Sequence, residues 1–139
     1  MNILTKTSFS SRVSSVLNKD VKQYGKQFMF DTNEDSSWSS DEGTPQWIVL
    51  AFDEPQNING FRFQFQGGFA GQQSNMVMYS ADGAEIHQQA FYPEDINSPQ
   101  EFKIQNTAHD KACSKIKFVF HSSTDLFGRI IVYNLELLS

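Results

Sequence analysis

The segment Gln46–Phe52 constrains the fold of this chain more than any other, because its sequence, QWIVLAF, is apolar on both faces of a strand. A strand that is apolar on both faces cannot lie at a half-solvated sheet edge, so it belongs in the middle of a packed core. We therefore predict that Trp47 is a core residue. The turn Gly43-Thr44-Pro45 leads into this strand, and an acidic, serine-rich loop that contains Trp38 precedes the turn.

The remaining patterns predict an all-β fold. Phe61, Phe63 and Phe65 alternate with polar residues, as in a half-buried strand with phenylalanine inward, and Phe63 is predicted to be core. Asp82-Gly83 predicts a hairpin between residues 74–80 and 84–91. Residues 20–28 form either a short helix or an irregular turn, because Gly25 disfavours a helix there. Further elements are predicted as strands at 12–17, 101–105, 115–121 and 130–138, and as a turn at 53–57. About eight strands in total predict one antiparallel β-sandwich domain over residues 1–139.

The composition limits the functions open to such a domain. The net charge is −5 and no run of Lys or Arg occurs, which disfavours direct nucleic-acid binding. Cys113 is the single cysteine, so no intrachain disulfide can form, and no apolar run approaches the ~18 residues of a membrane span. We therefore expect an intracellular protein of the nucleus or the cytoplasm that does not bind membranes.

Two consecutive motifs carry a family resemblance. Phe30-Asp31, Asn33, Ser36 and Trp38 form the first motif, and the strand Gln46–Phe52 forms the second. Together they resemble the discoidin, or coagulation-factor type C, domains. The resemblance implies a galactose-binding-like jelly roll in which about five strands pack on about three, after one short N-terminal helix.

A closer resemblance rests on further motifs. These motifs are Ser11–Asn18, Phe65–Phe69, Phe91–Asp95 and Asp125–Arg129. They are similar to motifs of a family of small intracellular proteins associated with testicular orphan receptor 4, which is a nuclear receptor. This resemblance implies a non-catalytic protein-interaction module that represses transcription by limiting receptor binding to its DNA response element. The wider family implies an alternative function, a carbohydrate-binding module with an aromatic platform on its loops.

Two loops, Gly67–Gln72 and Ser122–Arg129, are candidates for the binding surface, because each contains both an aromatic residue and glycine. Aromatic and Arg side chains give much of the contact energy at interfaces, and glycine lets another backbone approach closely. The resemblance places ligand sites of this fold in loops at one end of the sandwich. We predict partner or ligand contacts at Gln66, Phe69, Phe127 and Arg129. The structural alternative is that Phe69 and Phe127 fold back onto the core, while Arg129 only bridges to Asp125.

The acidic loop has oxygen-bearing side chains at EF-hand spacing from Asp31 to Glu42. Ser36 occupies the position that needs glycine, and the proline that follows the loop excludes the exiting helix, so we reject an EF-hand. The resemblance to galactose-binding-like domains instead implies a structural calcium ion at Asp31, Asn33 and Ser36, with Asn134 from the last strand. The alternative is a solvated loop in which Asp31 caps backbone amides.

The titratable residues do not have the spacing of a catalytic site. The histidines, His87, His109 and His121, lack a neighbouring Ser, Cys or second His at ligand or triad spacing. Cys113 borders a strand and is predicted to be a packed thiol. Paired catalytic carboxylates need a cleft between separate elements, whereas the acidic loop is one segment. We predict that the protein is not an enzyme and that calcium is the only cofactor to consider.

Overall fold

Two antiparallel sheets make up the computed structural model, which describes residues 1–105 and 112–139. Nine strands occur in these residues: β1 Phe9–Val13, β2 Trp38–Ser39, β3 Gln46–Gln56, β4 Gly60–Phe65, β5 Ser74–Tyr79, β6 Glu85–Phe91, β7 Gln100–Lys103, β8 Cys113–Phe120 and β9 Ile131–Leu138. The larger sheet has the order β1-β3-β8-β5-β6, and the smaller sheet has the order β2-β9-β4-β7. This architecture confirms the predicted β-sandwich, with the two-residue β2 added to the three strands expected in the smaller sheet.

The helical elements are short. They comprise α1 (Val21–Tyr24) and 3₁₀ turns at Ile3–Thr5, Leu17–Lys19 and Lys26–Met29. Gly25 interrupts the predicted helix with an extended backbone (φ −71°, ψ 168°), which leaves one turn of α-helix before it and a 3₁₀ turn after it. None of the helices in the described residues is long and apolar enough to span a membrane.

Phenylalanine rings fill the space between the two sheets. Phe61, Phe63 and Phe65 of β4 are fully buried, which confirms the predicted alternation and the core position of Phe63. The Phe63 ring meets the rings of Phe118 and Phe120 from β8 edge-on, with centroid distances of 5.0 and 5.6 Å. Such pairs contribute about 0.5–1.5 kcal/mol each beyond the area that they bury. The two sheets are therefore held together by an interlocked aromatic cluster.

The prediction that Trp47 is a core residue is wrong. The inward phase of β3 begins with Gln46, which is only 4% exposed, and Trp47 lies half-buried on the outer face of the larger sheet. Gln46 is tolerated inside because its Oε1 accepts a hydrogen bond from the Ser15 hydroxyl (2.8 Å) and its Nε2 donates to the Gly43 carbonyl (2.8 Å). The buried tryptophan is Trp38, whose Nε1 donates to the Ser15 carbonyl at 2.9 Å.

Several element boundaries differ from the predicted ones. The first strand is Phe9–Val13 rather than residues 12–17, and the strand expected at 101–105 is Gln100–Lys103. The turn expected at 53–57 is instead the end of β3, with a register shift against β8 between Ala51 and Gln56. The predicted hairpin is confirmed, because β5 pairs with β6 on either side of the positive-φ residue Gly83.

Candidate functional site

Four connections between strands meet at one end of the sandwich. They join β2 to β3, β4 to β5, β6 to β7 and β8 to β9, and we call them together the loop end. The Gly43 N–H donates to the Phe127 carbonyl (2.7 Å), and the Gly68 N–H donates to Asp95 Oδ1 (2.7 Å). The Ala70 N–H donates to the Thr124 hydroxyl oxygen at 3.0 Å. Hydrogen bonds between different connections therefore hold the loop end in one arrangement.

Large apolar side chains project into solvent from the loop end. Leu126 is 92% exposed, Phe127 is 56% exposed and Tyr92 is 68% exposed. Phe69 is half-buried. Phe127 does not fold back onto the core, so the structural alternative fails for this residue. Exposed apolar groups held on fixed loops are the usual sign of an interaction surface.

Arg129 connects the predicted loop residues. Its guanidinium carbon lies 5.1 Å from the centroid of the Phe69 ring and 5.9 Å from that of the Phe127 ring, within the range of cation–π contacts. Its Nε also donates to Asp125 Oδ2 at 3.1 Å, so the expected bridge is present as well. The structure therefore brings Phe69, Phe127 and Arg129 together, and partner or ligand contacts at these residues stay a prediction.

Asp125 is the charged partner of this cluster. Burial alone raises the pKa of its carboxyl, but hydrogen bonds from the side chain and backbone of Arg129, together with the Arg129 charge, lower the pKa below its usual value. The same hydrogen bond to Asp125 raises the pKa of Arg129. The carboxylate stays ionised at neutral pH and holds the guanidinium close to the two aromatic rings.

The fourth predicted site residue, Gln66, has a side-chain hydrogen bond to a residue outside this cluster. Its Oε1 accepts a hydrogen bond from the Tyr133 hydroxyl on β9 at 3.0 Å. Leu126 and Tyr92 were missed as site residues, although each lies in a motif that carries the family resemblance. The local signal for Leu126 is a second large apolar residue beside Phe127 in a loop that is otherwise mostly polar.

The residues predicted to bind calcium form a hydrogen-bonded turn. Asp31 Oδ1 accepts from the Asn33 N–H (3.1 Å), and Asp31 Oδ2 accepts from the Ser36 hydroxyl (2.7 Å). Asn134 lies on β9, where its Nδ2 is 3.5 Å from the Met29 carbonyl. An ion would meet one carboxylate here and would have to displace these hydrogen bonds, so the donor set fits calcium poorly. The resemblance predicts calcium binding here, whereas these hydrogen bonds favour the alternative of a solvated loop in which Asp31 caps a backbone amide.

The candidate nucleophile and the histidines make few contacts with other titratable side chains in the described residues. Burial raises the pKa of the Cys113 thiol to about 11, so it stays protonated at neutral pH. His121 contacts Asn75 at 3.2 Å, His87 contacts Gln89 at 3.0 Å, and His109 lies outside the described residues. In the described ranges, three or more His, Cys, Asp or Glu side chains do not cluster in a way that could hold a metal ion.

The fold and the loop end define a jelly-roll binding domain of the galactose-binding-like class. Residues 7–129 match the F5/8 type C domain family. Nuclear receptor 2C2-associated protein of Danio rerio is 50% identical over 131 residues, which is 94% of this chain and 91% of the relative. The protein of the same name from Homo sapiens is 39% identical over 130 residues, covering 92% of this chain and 89% of the relative. The chain therefore belongs to the F5/8 type C domain family and, within it, to the family of nuclear receptor 2C2-associated proteins.

Solved structures share the fold at low sequence identity. A carbohydrate-binding module from Clostridium perfringens, in complex with GalNAc-β-1,3-galactose, superposes with a TM-score of 0.74 at 17% identity, over 94% of this chain and 95% of that one. A chitosan-binding module from a chitosanase/glucanase of Paenibacillus sp. IK-5 gives a TM-score of 0.75 at 16% identity, over 100% and 99% of the two chains. These likenesses support the predicted jelly roll.

Proposed function

We propose that this protein is a non-catalytic interaction module that binds a nuclear receptor through its loop end. The observation that carries the proposal is the exposure of Leu126 and Phe127 on a connection that hydrogen bonds hold in place. The names of the relatives, which describe association with a nuclear receptor, support the choice of partner. We further propose that binding limits the access of the receptor to its DNA response element, and that the protein acts in the nucleus or the cytoplasm.

The chemistry of the loop end suits a protein surface. Leucine and phenylalanine side chains lie in water in the free protein. When a partner covers them, the complex is stabilised by about 25 cal/mol per Å² of apolar area buried. The Asp125–Arg129 pair restrains the base of this loop, so less conformational entropy is lost on binding. Arg129 keeps hydrogen-bond donors beside the apolar side chains, which is the composition of binding hot spots.

Calorimetry with a purified receptor of the nuclear receptor 2C2 type tests this proposal. The double variant Leu126→Ala/Phe127→Ala should weaken binding by about tenfold or more, because both side chains are exposed and free to contact a partner. Its melting temperature should stay close to that of the parent, since neither residue belongs to the core. The matched control is Val21→Ala, which removes an apolar side chain of similar exposure (58%) from α1. Unchanged affinity in a folded double variant would place the receptor surface elsewhere.

The repressor role needs a separate measurement. Fluorescence anisotropy of a labelled response element reports how much receptor is bound to DNA. Addition of the parent protein should lower the anisotropy, and the Leu126→Ala/Phe127→Ala variant should not. A ternary complex of protein, receptor and DNA would support receptor binding but contradict the repressor role.

A carbohydrate-binding function is the second candidate, and one cavity favours it. Tyr92 is 68% exposed and lines a shallow cavity with Gln73, Asn75 and His121. An exposed aromatic ring beside amide and imidazole groups can stack on a sugar ring and bond its hydroxyls. The solved relatives that bind galactose-containing sugars or chitosan share this fold. NMR titration with galactose, N-acetylgalactosamine and chitosan oligomers tests it, because binding should shift the resonances of Tyr92 and be lost in Tyr92→Ala.

A further inference from the structure

The outer face of the larger sheet carries apolar side chains on its three central strands. Val49 on β3 and Val77 on β5 flank Lys117 of β8 and are only 6% and 8% exposed, whereas Val119, the next outward residue of β8, is partly exposed. Trp47 is paired with Val119, so the indole extends this apolar strip toward the start of β3. Tyr79 closes the opposite corner, at the end of β5. We call this surface the cationic face, because Arg12, Lys115 and Lys117 lie over its aromatic rings.

Three cations lie over the aromatic rings of this face. The Arg12 guanidinium carbon is 6.0 Å from the centroid of the Trp47 ring system, and the Lys117 ammonium nitrogen is 5.5 Å from it. The Lys115 ammonium nitrogen is 4.6 Å from the centroid of the Tyr79 ring. Stacking on the rings keeps the charges beside the apolar strip instead of letting them extend into solvent.

Among the described residues, no direct ion pair compensates the charge of this face, although Glu85 of β6 is paired with Tyr79. Arg12, Lys115 and Lys117 have no carboxylate within 4.0 Å in residues 1–105 and 112–139, although the whole chain carries a net charge of −5. The outer face of the smaller sheet differs, because Arg62 there lies 3.1 Å from Glu101 and 3.3 Å from Glu136. Within residues 1–105 and 112–139, the outer face of the larger sheet therefore places three cations without a direct ion pair over aromatic rings.

We propose that the cationic face docks an acidic segment of a protein partner that also presents apolar side chains. Charge complementarity selects the carboxylates. The partly exposed side chains of Trp47, Tyr79 and Val119 supply apolar area that nucleic acid does not use. Duplex DNA is disfavoured because three cations displace few counterions and the net charge of the chain repels a polyanion. A second copy in a two-fold arrangement would bring the same cations against each other.

NMR titration with a short synthetic peptide of alternating Glu and Leu, blocked at both ends, tests the proposal. Amide shifts should concentrate on β3, β5 and β8, and the affinity should fall as salt is added. Lys115→Glu/Lys117→Glu should lower the affinity by about tenfold or more, whereas the matched reversal Lys6→Glu/Lys103→Glu, at exposed positions elsewhere, should change it by less than about threefold. If the reversal lowers stability, Lys117→Gln should show a smaller loss in the same direction.

Other occupants give distinct results. Three results would each overturn the proposal. They are equal binding of a peptide with Lys in place of Glu, amide shifts confined to the loop end, and unchanged affinity in the charge-reversed variant. Binding of duplex DNA or phosphatidylserine vesicles without peptide binding would overturn it as well, and so would self-association through this face in sedimentation. The Leu126→Ala/Phe127→Ala variant should bind the peptide like the parent, which separates this proposal from that of the loop end.

Discussion

At the scale of single residues, one glycine is required by both its backbone angle and its neighbour. Gly128 has a φ of +82°, and a Cβ at this position would lie 2.9 Å from the Gly43 carbonyl carbon. Gly83 has a similar φ of +86° but no atom within 4 Å of its Cβ position. Gly83→Ala therefore measures the strain of the backbone angle, about 1 kcal/mol, and Gly128→Ala adds the clash with Gly43.

We expect Gly128→Ala to lower the free energy of unfolding by at least about 1 kcal/mol more than Gly83→Ala does. Urea unfolding of the two variants beside the parent protein gives the comparison. The Gly128 variant should also shift amide resonances in the loops around Gly43 and Phe127, which are hydrogen-bonded to each other. Equal losses would mean that the two connections separate easily.

Phe63 and Trp47 should respond differently to truncation. Phe63 is fully buried, so Phe63→Ala should cost about 3–5 kcal/mol of unfolding free energy. Trp47 is half-buried on the outer face, so Trp47→Ala should cost only about 1–2 kcal/mol, mainly from lost contacts with Arg12 and Lys117. Chemical denaturation measures both values. Similar costs for the two variants would contradict the assignment of Trp47 to the outer face.

At the scale of elements, local pattern was enough for strands whose inward positions are all apolar. Phe61, Phe63 and Phe65 predicted β4 because each inward side chain is the same large residue. The same pattern could not show which residues of β3 face the core. Gln46 is inward because Ser14 and Ser15, more than 30 residues earlier in the chain, satisfy its amide, and no local pattern reports such a contact.

The extent of β3 and the exposure of the loops were also set by distant residues. The charged, proline-containing segment after Phe52 resembles a turn, yet it continues as strand because the Asp53 N–H bonds the Ser8 carbonyl and Gln56 pairs with Cys113. The aromatic-plus-glycine pattern selected Phe69, Phe127 and Arg129, which lie close together in the structure. It could not show that Leu126 projects into solvent, since the paths of several connections decide that exposure.

The acidic turn is the element on which the calcium question depends. Because Asp31 already accepts hydrogen bonds from Asn33 and Ser36, we expect Asp31→Ala to lower stability by about 1 kcal/mol with or without calcium. Thermal melts in calcium chloride and in a chelator should coincide for the parent protein, and Glu42→Ala should not change that result. A calcium-dependent rise in melting temperature that Asp31→Ala abolishes would establish the ion at this turn.

At the scale of the whole molecule, the two proposed surfaces are separate parts of one rigid sandwich. The loop end presents Leu126 and Phe127 beside the carboxylate of Asp125, and the cationic face presents Lys115 and Lys117 beside valines. The aromatic core fixes both surfaces, because β8 supplies Phe118 and Phe120 inward and the two lysines outward.

The stability of the whole molecule should depend on pH through Cys113. This thiol is fully buried, and burial raises its pKa to about 11 in the folded protein. In the unfolded protein the pKa of a cysteine is about 8.5. The folded state therefore keeps a proton that the unfolded state loses above about pH 8.5. Its contribution to stability is complete below that pH and is lost as the pH rises toward about 11, by at most about 1.4 kcal/mol per pH unit.

Urea unfolding of the parent and of Cys113→Ala, at a series of pH values from neutral to strongly alkaline, isolates this effect. Lysine and tyrosine titrations are common to both proteins, so the difference between the two stability curves belongs to the thiol. Cys113→Ala should begin less stable because it leaves a small cavity, and the gap should narrow as the pH rises above about 8.5. Parallel curves across this range would show that the thiol is not desolvated in the folded state, and that the core around β8 admits water.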